Sequence, residues 1–533
     1  MAATRILRQD DFTGGLNLRA DQFQLAQNES PKMLNVEIDP RGGVFSRGAM
    51  RRINTTGVSP AQFWNPRVLF PFYGSSPYLM LGTAPKTGSG SVYYSTGGSF
   101  TNLSIFVSSP QGPGFAPWGS TLYMSTGNTS VSYKWNGVSA SSLNASGPVW
   151  QNSYTAPVGG YFPKADFAVT HAGKIFVAST NEDGVAYPNR IRWSHPNSPE
   201  NWAEQDRIDI NDGGSGITGV AVYGGHLLVF KRNAVFAVFG YDSDTFQVVE
   251  VSRNVGAANQ NAISVTERGV YFFSYPDGLM FYNGERIADL FEPIRPAITL
   301  GFINPAAVDS VRVNTVNRRV WVSVPYSEVT TVTDPTVCFV YDPSVSSRGA
   351  WLMFQTADQK GLAAGCTYIK SNGEQIHAVV HPIEPYVLRA DMYNYATDNI
   401  TGTEYQFVSR YRSRWLDAGN YSQKKMFRRP DFVVKQQNSA GSLNVKVYGD
   451  YEEAENGEIR QYTVSVPAAG VGLTWGSGLW GANWGAANTG SQVLNGRSIG
   501  LARSIQLEFT GPTGNAWGIN SYTLKYNPRR ITA

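Results

Sequence analysis

The residues best suited to metal or acid–base chemistry in this sequence are five histidines, His171, His195, His226, His377 and His381. His377 and His381 are four apart, but the flanking HAVVHPIEPYV reads as strand, and imidazoles at that spacing converge on one ion only across a helical turn. Asp242-Ser243-Asp244 has the acidic spacing of a calcium loop but lacks the downstream glycine and glutamate. There is no GxSxG, HExxH or glycine-rich phosphate loop. NEDGVAY (181–187) and SYPDGLMF (274–281) echo a sialidase-type turn only in their Asp-Gly, which any tight turn uses. No catalytic, cofactor-binding or metal-ligating residue is assigned, and the expectation is a protein that is not an enzyme.

Two other residue types are concentrated enough to suggest contact surfaces. Cations pair at Arg51 and Arg52, at Arg318 and Arg319, and at Arg529 and Arg530, and they are densest in QKKMFRRPD, with Lys424, Lys425, Arg428 and Arg429. Charge pairs on strand ends ordinarily serve as solvated edges. Four cations in six residues exceed that need, and copies of them around a ring would form a positive collar for phosphates or an acidic partner. In LTWGSGLWGANWG, Trp475, Trp480 and Trp484 alternate with glycines. Indoles on such a loop are costly to leave in water, so they pack within the domain, on a neighbouring subunit or on a sugar; subunit contact is preferred. Arg51, Arg52, the four cations of QKKMFRRPD and the three tryptophans form the expected assembly interface.

The elements that must position these residues are strands. Glycine (55) and proline (29) are abundant, aromatics reach 13% and charged residues only 16%, a balance that favours short β-elements joined by turns. A net charge of +4 over 533 residues excludes general electrostatic attraction to nucleic acid or acidic membranes. Cys338 and Cys366 are too few for a disulfide framework and read as small core residues. MAATRILRQDDF lacks the apolar run of an export signal, and no stretch approaches the ~20 apolar residues of a membrane helix. The expectation is synthesis in a reducing cytoplasm without membrane insertion.

One phrase recurs: an apolar strand set off by a turn and followed by a second strand. It appears at SSPYLML (75–81), GSTLYM (119–124), GKIFVAS (173–179), GHLLVF (225–230), RGVYFF (268–273), RRVWVSV (318–324) and GEQIHAVV (373–380). Its first residues step by 43 to 55 positions, close to a propeller blade repeat of roughly 40 to 50. Radial packing buries both faces of every sheet, which loose hairpins cannot do, so residues 61–400 are expected to form a β-propeller of six or seven blades. Two successive β-sandwiches are the alternative. From 401 to 533 the strands lengthen and alternate, as in LNVKVYGD, where Leu443, Val445 and Val447 share one face; this part reads as a separate β-sandwich. The fold class is therefore all-β.

Residues 1–60 read as an N-terminal arm. Ser30-Pro31 suggests a helix cap and one turn through Leu34. Val36 and Ile38 then alternate as a strand, DPRGG (39–43) reverses the chain and Val44-Phe45 returns. Such a hairpin either supplies an outer strand that closes the propeller or docks to another component.

FTGGLNLRADQFQLAQNESPKMLNVEIDPRGGVFSRGAMRR resembles the N-terminal segment of β-rich tail proteins of tailed bacteriophages, with its Gly-Gly-Leu-Asn phrase, Asn-Glu-Ser, Asn-Val strand, Gly-Gly turn and Arg-Gly. SRWLDAGNYSQKKMFRRPDFVV is similar to the start of the sandwich that follows the propeller in such proteins. The resemblance is greatest to the tail nozzle family of short-tailed phages, related to the packaged-DNA stabilisation proteins. It implies a structural virion protein assembled in the bacterial cytoplasm: a ring of about six copies, below the portal-adaptor ring, that retains and then releases the genome. The implied partners are further copies of itself, the adaptor ring, tail fibres or tail-tip proteins, and transient non-specific contact with DNA; no cofactor is implied. A carbohydrate-binding or carbohydrate-cleaving propeller, such as a receptor-binding tail protein, is the alternative.

Overall fold

Each of the seven recurring apolar runs is the second strand of an antiparallel sheet: Pro77–Thr83, Thr121–Ser125, Lys174–Glu182, His226–Lys231, Gly269–Ser274, Arg319–Val324 and Gln375–Val380. The structure is a computed structural model that describes residues 4–529 apart from 22–23, 60–63, 87, 144–149, 151–159, 242–243, 394, 421, 436–440, 453–456, 467–490 and 512–515. Blades 1 to 6 are four-stranded sheets built in chain order, covering 66–102, 114–142, 164–209, 217–252, 263–289 and 312–354. A second strand lies inside its sheet and between neighbouring blades, so every residue of Gly269–Ser274 and of Arg319–Val324 is buried. Burial on both faces is why these strands read as continuous apolar runs rather than alternations.

The cores lie between blades. Blades 1 and 2 share a cluster around Phe72, Tyr78, Leu122 and Trp135; blades 3 and 4 share another around Phe176, Trp193, Leu227 and Val229. Blades 7 and 1 meet through Tyr368, Ile376, Leu79 and Leu81, which closes the ring. Blade 7 comprises Ala364–Ile369, Gln375–Val380 and Val387–Met392, and its fourth strand is Ala49–Arg52 from the start of the chain. The fold is thus a seven-bladed β-propeller in which an N-terminal strand supplies the outer strand of the last blade. Two further short strands, Thr397–Asn399 and Glu404–Gln406, extend that sheet outward.

The C-terminal part is a two-sheet sandwich. Gly518–Pro528 pairs on one side with Lys425–Phe427 and Asp431–Lys435, and on the other with Arg5–Gln9 and Val44–Ser46. The facing sheet runs in the order Lys32–Leu34, Arg410–Arg412, Ile505–Thr510, Gly441–Gly449, Glu458–Val466. Phe432 and Tyr522 of the first sheet each meet Phe509 of the second at 5.7 Å between ring centroids. Leu443, Val445 and Val447 point into this core, as their alternation requires.

The opening residues are therefore not a separate arm. Arg5–Gln9, Lys32–Leu34 and the hairpin Val36–Ile38/Val44–Ser46 belong to the sandwich, and Ala49–Arg52 belongs to the propeller. The hairpin and its DPRGG reversal match the sequence reading, with Gly42 N–H donating to the Asp39 carbonyl. The helical turn at Ser30-Pro31 does not form. Ser30 closes a short parallel pairing with Gly15–Leu16, and its hydroxyl donates to the Arg412 carbonyl at 2.6 Å instead of capping a helix. Sheet pairing of Lys32–Leu34 with Arg410–Arg412 overrides the local signal.

Candidate functional site

Where the opening segment passes from sandwich to propeller it is held by two buried ion networks. Arg47, 3% exposed, forks onto both carboxylate oxygens of Asp398 at 3.0 and 2.6 Å. Its remaining donors reach the Asn35 side chain and the carbonyls of Gly48 and Gln355, and its guanidinium lies 3.8 Å from the centre of the Phe407 ring. Asp398 also accepts from the backbone N–H groups of Met50 and Ala357. Gly48 has to be glycine, because a Cβ there would stand 2.7 Å from the Asp391 backbone.

The second network joins Glu37 of the sandwich hairpin to Arg319 of blade 6 at 3.2 Å, and Arg319 to Asp391 of blade 7 at 3.3 Å. Tyr393 donates to Glu37 at 2.8 Å. Burial pushes the Glu37 carboxyl above its ordinary range against the opposing pull of Arg319. Buried ion pairs of this kind add little net stability but are costly to break on one side, so they fix the geometry of the junction. The sequence reading took Arg318 and Arg319 as a solvated strand end. Arg318 is exposed, whereas Arg319 is the hub of this network.

The propeller encloses a cavity of about 1090 Å³, lined by the inner strands of all seven blades. It is not an open bore. Asn261, on the connection into blade 5, donates through its side-chain amide to the Gln111 carbonyl ahead of blade 2, at 2.8 Å. The carboxylates on its wall are Asp166 and Glu267. Asp166 is already engaged by Ser179 and by the backbone and side chain of Asn128, and burial raises its carboxyl above the ordinary value. His377 lines the cavity beside Thr367, and burial lowers its imidazole below the ordinary value.

His381 does not pair with His377. Its Nδ1 accepts the backbone N–H groups of Ile383 and Glu384, so the ring proton sits on Nε2, which donates to Asp358. Its one lone pair is thereby used in holding the turn, and its N–H in binding Asp358. Among the described residues no group of three or more His, Cys, Asp or Glu is arranged to hold a metal ion. Cys338 and Cys366 are buried and unpaired, and burial pushes the Cys338 thiol up to about 12.

The expected interface residues divide sharply. Arg51 forks onto Glu404 at 2.9 and 2.7 Å and stacks on Tyr395, and Arg52 donates to the carbonyls of Thr55 and Thr401. Both hold the outer edge of blade 7. Lys425 is 1% exposed, and its ammonium caps the carbonyls of Asn420, Gln423 and Arg503. It is therefore removed from the collar of cations: strand alternation in Lys425–Phe427 turns Lys425 and Phe427 inward. Lys424, Arg428 and Arg429 remain exposed at one corner of the sandwich, joined there by Arg503 and Arg529. Arg428 donates to Asn527, and Arg529 N–H to the Lys424 carbonyl. Trp475, Trp480, Trp484 and Arg530 lie outside the described residues.

The fold and this junction define a seven-bladed propeller locked to a β-sandwich by the opening segment. No known protein family matches the sequence, and no curated protein does. Among solved structures the chain is similar to YCF48 bound to D1 peptide, at 10% identity and a TM-score of 0.37, over 67% of this chain and 99% of that one. A likeness that loose has no bearing on function.

Proposed function

We propose that this chain is a structural subunit of a tailed-bacteriophage virion, a tail nozzle or hub protein that assembles into a ring of about six copies below the portal-adaptor ring. The observation that carries the reading is that the segment resembling phage tail proteins is the one that locks propeller and sandwich together through Arg47–Asp398 and Glu37–Arg319–Asp391. A motif spent on rigidity suits a part that bears load and holds shape.

DNA then passes between subunits and not through a propeller. A duplex whose major groove alone is about 12 Å wide does not thread a cavity spanned by the hydrogen bond from Asn261 to Gln111. The exposed corner of Lys424, Arg428 and Arg429 is offered to a neighbouring copy, an adaptor or passing phosphates. Tail fibres or tail-tip proteins complete the set of partners, and the virion tail is the location.

Negative-stain microscopy of the purified chain and of virions tests this. A closed, six-fold ring on the tail axis is the expected result; a peripheral trimer, or a monomer that binds or hydrolyses glycans, replaces the nozzle with a receptor-binding propeller.

A further inference from the structure

Arg67 is the one residue of blade 1 pushed out of its ladder. Pro66 pairs with Thr83 and Val68 with Gly82, so Arg67 is the extra residue of a β-bulge, a device that re-aims a side chain. Its side chain lies between the large propeller cavity and a second pocket of about 320 Å³ on the face that carries the blade-to-blade connections. There its Nε is buried without an acceptor, and among the described residues no carboxylate lies within ion-pair distance of the guanidinium. Burial is the main influence on this guanidinium and lowers its pKa, while Asp334 and Asp309 act on it only from longer range.

A second guanidinium lines the same pocket. Arg312, 2% exposed, donates Nη1 to the carbonyls of Asp309 and Val311, which orient it without neutralising it. Of the two carboxylates on the wall, Asp309 is taken by Arg232 at 2.7 Å, leaving Asp334 against two arginines. The pocket therefore holds two guanidiniums, neither paired directly with a carboxylate, with Ser310 and Thr333 as neighbouring hydroxyls. Its other walls are short and stiff: Pro66, Ala306, Ala307, Pro335, Ala363 and Pro382.

We propose that Arg67 and Arg312 form a binding site for a small phosphate-type anion, inorganic phosphate or the phosphate group of a small monoester. Guanidinium forks match oxoanions in geometry, and among the described residues no carboxylate pairs directly with the guanidinium of Arg67 or of Arg312. The volume exceeds that of a bare phosphate and leaves room for a few further atoms, whereas the proline and alanine walls keep out the backbone of a duplex. The site stands whether or not the chain forms a ring.

Calorimetric titration of the full chain with inorganic phosphate, with glycerol phosphate and with a short duplex DNA, at matched ionic strength, tests the proposal. Saturable binding of the first two is expected, weakened about tenfold or more in Arg67→Met and unchanged in Arg268→Met, whose guanidinium lines the larger cavity only. Circular dichroism confirms that Arg67→Met is folded, and Arg67→Lys is expected to retain part of the affinity. Equal affinity in wild type and Arg67→Met overturns the site, as does absence of saturable phosphate binding. Binding confined to the duplex overturns the small-anion assignment.

Discussion

Arg47 and Asp398, 351 positions apart along the chain, form a two-pronged ion pair with side chains 1% and 0% exposed. The pair joins the end of the sandwich hairpin to the strand that extends blade 7, so it measures how firmly the two domains are coupled. Asp398→Asn removes the charge while keeping the shape, and leaves a buried guanidinium unpaired. Urea unfolding is expected to show a loss of about 3–5 kcal/mol, the usual cost of breaking one side of a buried pair.

Gly15 offers a sharper test of the same region. It has φ +68°, and a Cβ there would stand 2.7 Å from the carbonyl oxygen of Trp351 in blade 6. Gly15→Ala combines strain with a backbone clash and is expected to lower stability by roughly 1–3 kcal/mol, read as a lowered urea midpoint. An unchanged midpoint means the opening segment does not bear on blade 6.

The cation-rich run should split into two classes. Lys425→Ala leaves three carbonyls without their donor, and a loss of about 2–4 kcal/mol in sandwich stability is expected. The triple change Lys424→Ser, Arg428→Ser and Arg429→Ser should leave unfolding within about 0.5 kcal/mol of wild type, because all three side chains are exposed. It should nonetheless weaken ring assembly, measured by sedimentation; full assembly in the triple variant would remove these cations from the interface.

Acid should loosen the edge of blade 7. Side-chain hydrogen bonds from Arg51, Thr397 and Asn399 hold the Glu404 carboxyl at about 2 against an ordinary 4.5. The unfolded chain therefore binds this proton first, and the stabilisation is present above 4.5 and lost as pH falls toward 2. Solvent screening at this half-exposed position keeps the effect to roughly 1 kcal/mol or less. Glu404→Gln should cost that amount at neutral pH and nothing at the acid end, followed as stability against pH. Glu37 has the opposite sign: its raised carboxyl favours the folded state in acid, and that contribution fades as pH rises through the raised value.

The propeller was legible because each second strand is buried on both faces, so Val270–Phe273 and Val320–Val322 leave an unbroken apolar trace. Spacing left the blade number at six or seven, and the seven sheets of the ring decide it. Closure was expected of the hairpin Val36–Ile38/Val44–Ser46, which joins the sandwich instead; the closing strand Ala49–Arg52 is only four residues long and its partner Val387–Met392 lies in the last blade. The junction was not legible. Arg47, Glu37, Arg319 and Asp398 are ordinary charged residues until the opening segment, blade 6 and the outer edge of blade 7 converge, and burial of an arginine leaves no periodic mark. Arg318 stands exposed in the hairpin turn, at φ 61°, while Arg319 opens the buried strand, so adjacent identical residues acquire opposite surroundings.

The sandwich strand Arg5–Gln9 lies along Gly518–Pro528, and the outer strand of blade 7 comes from residues 49–52. On a ribosome these early strands emerge with nothing to pair with, and the propeller stays open until blade 7 has been made. The sandwich lacks its central strand for longer still. A nascent chain thus carries unpaired edges for most of its synthesis. Fragments cut short within the last strand would keep those edges of the sandwich unpaired.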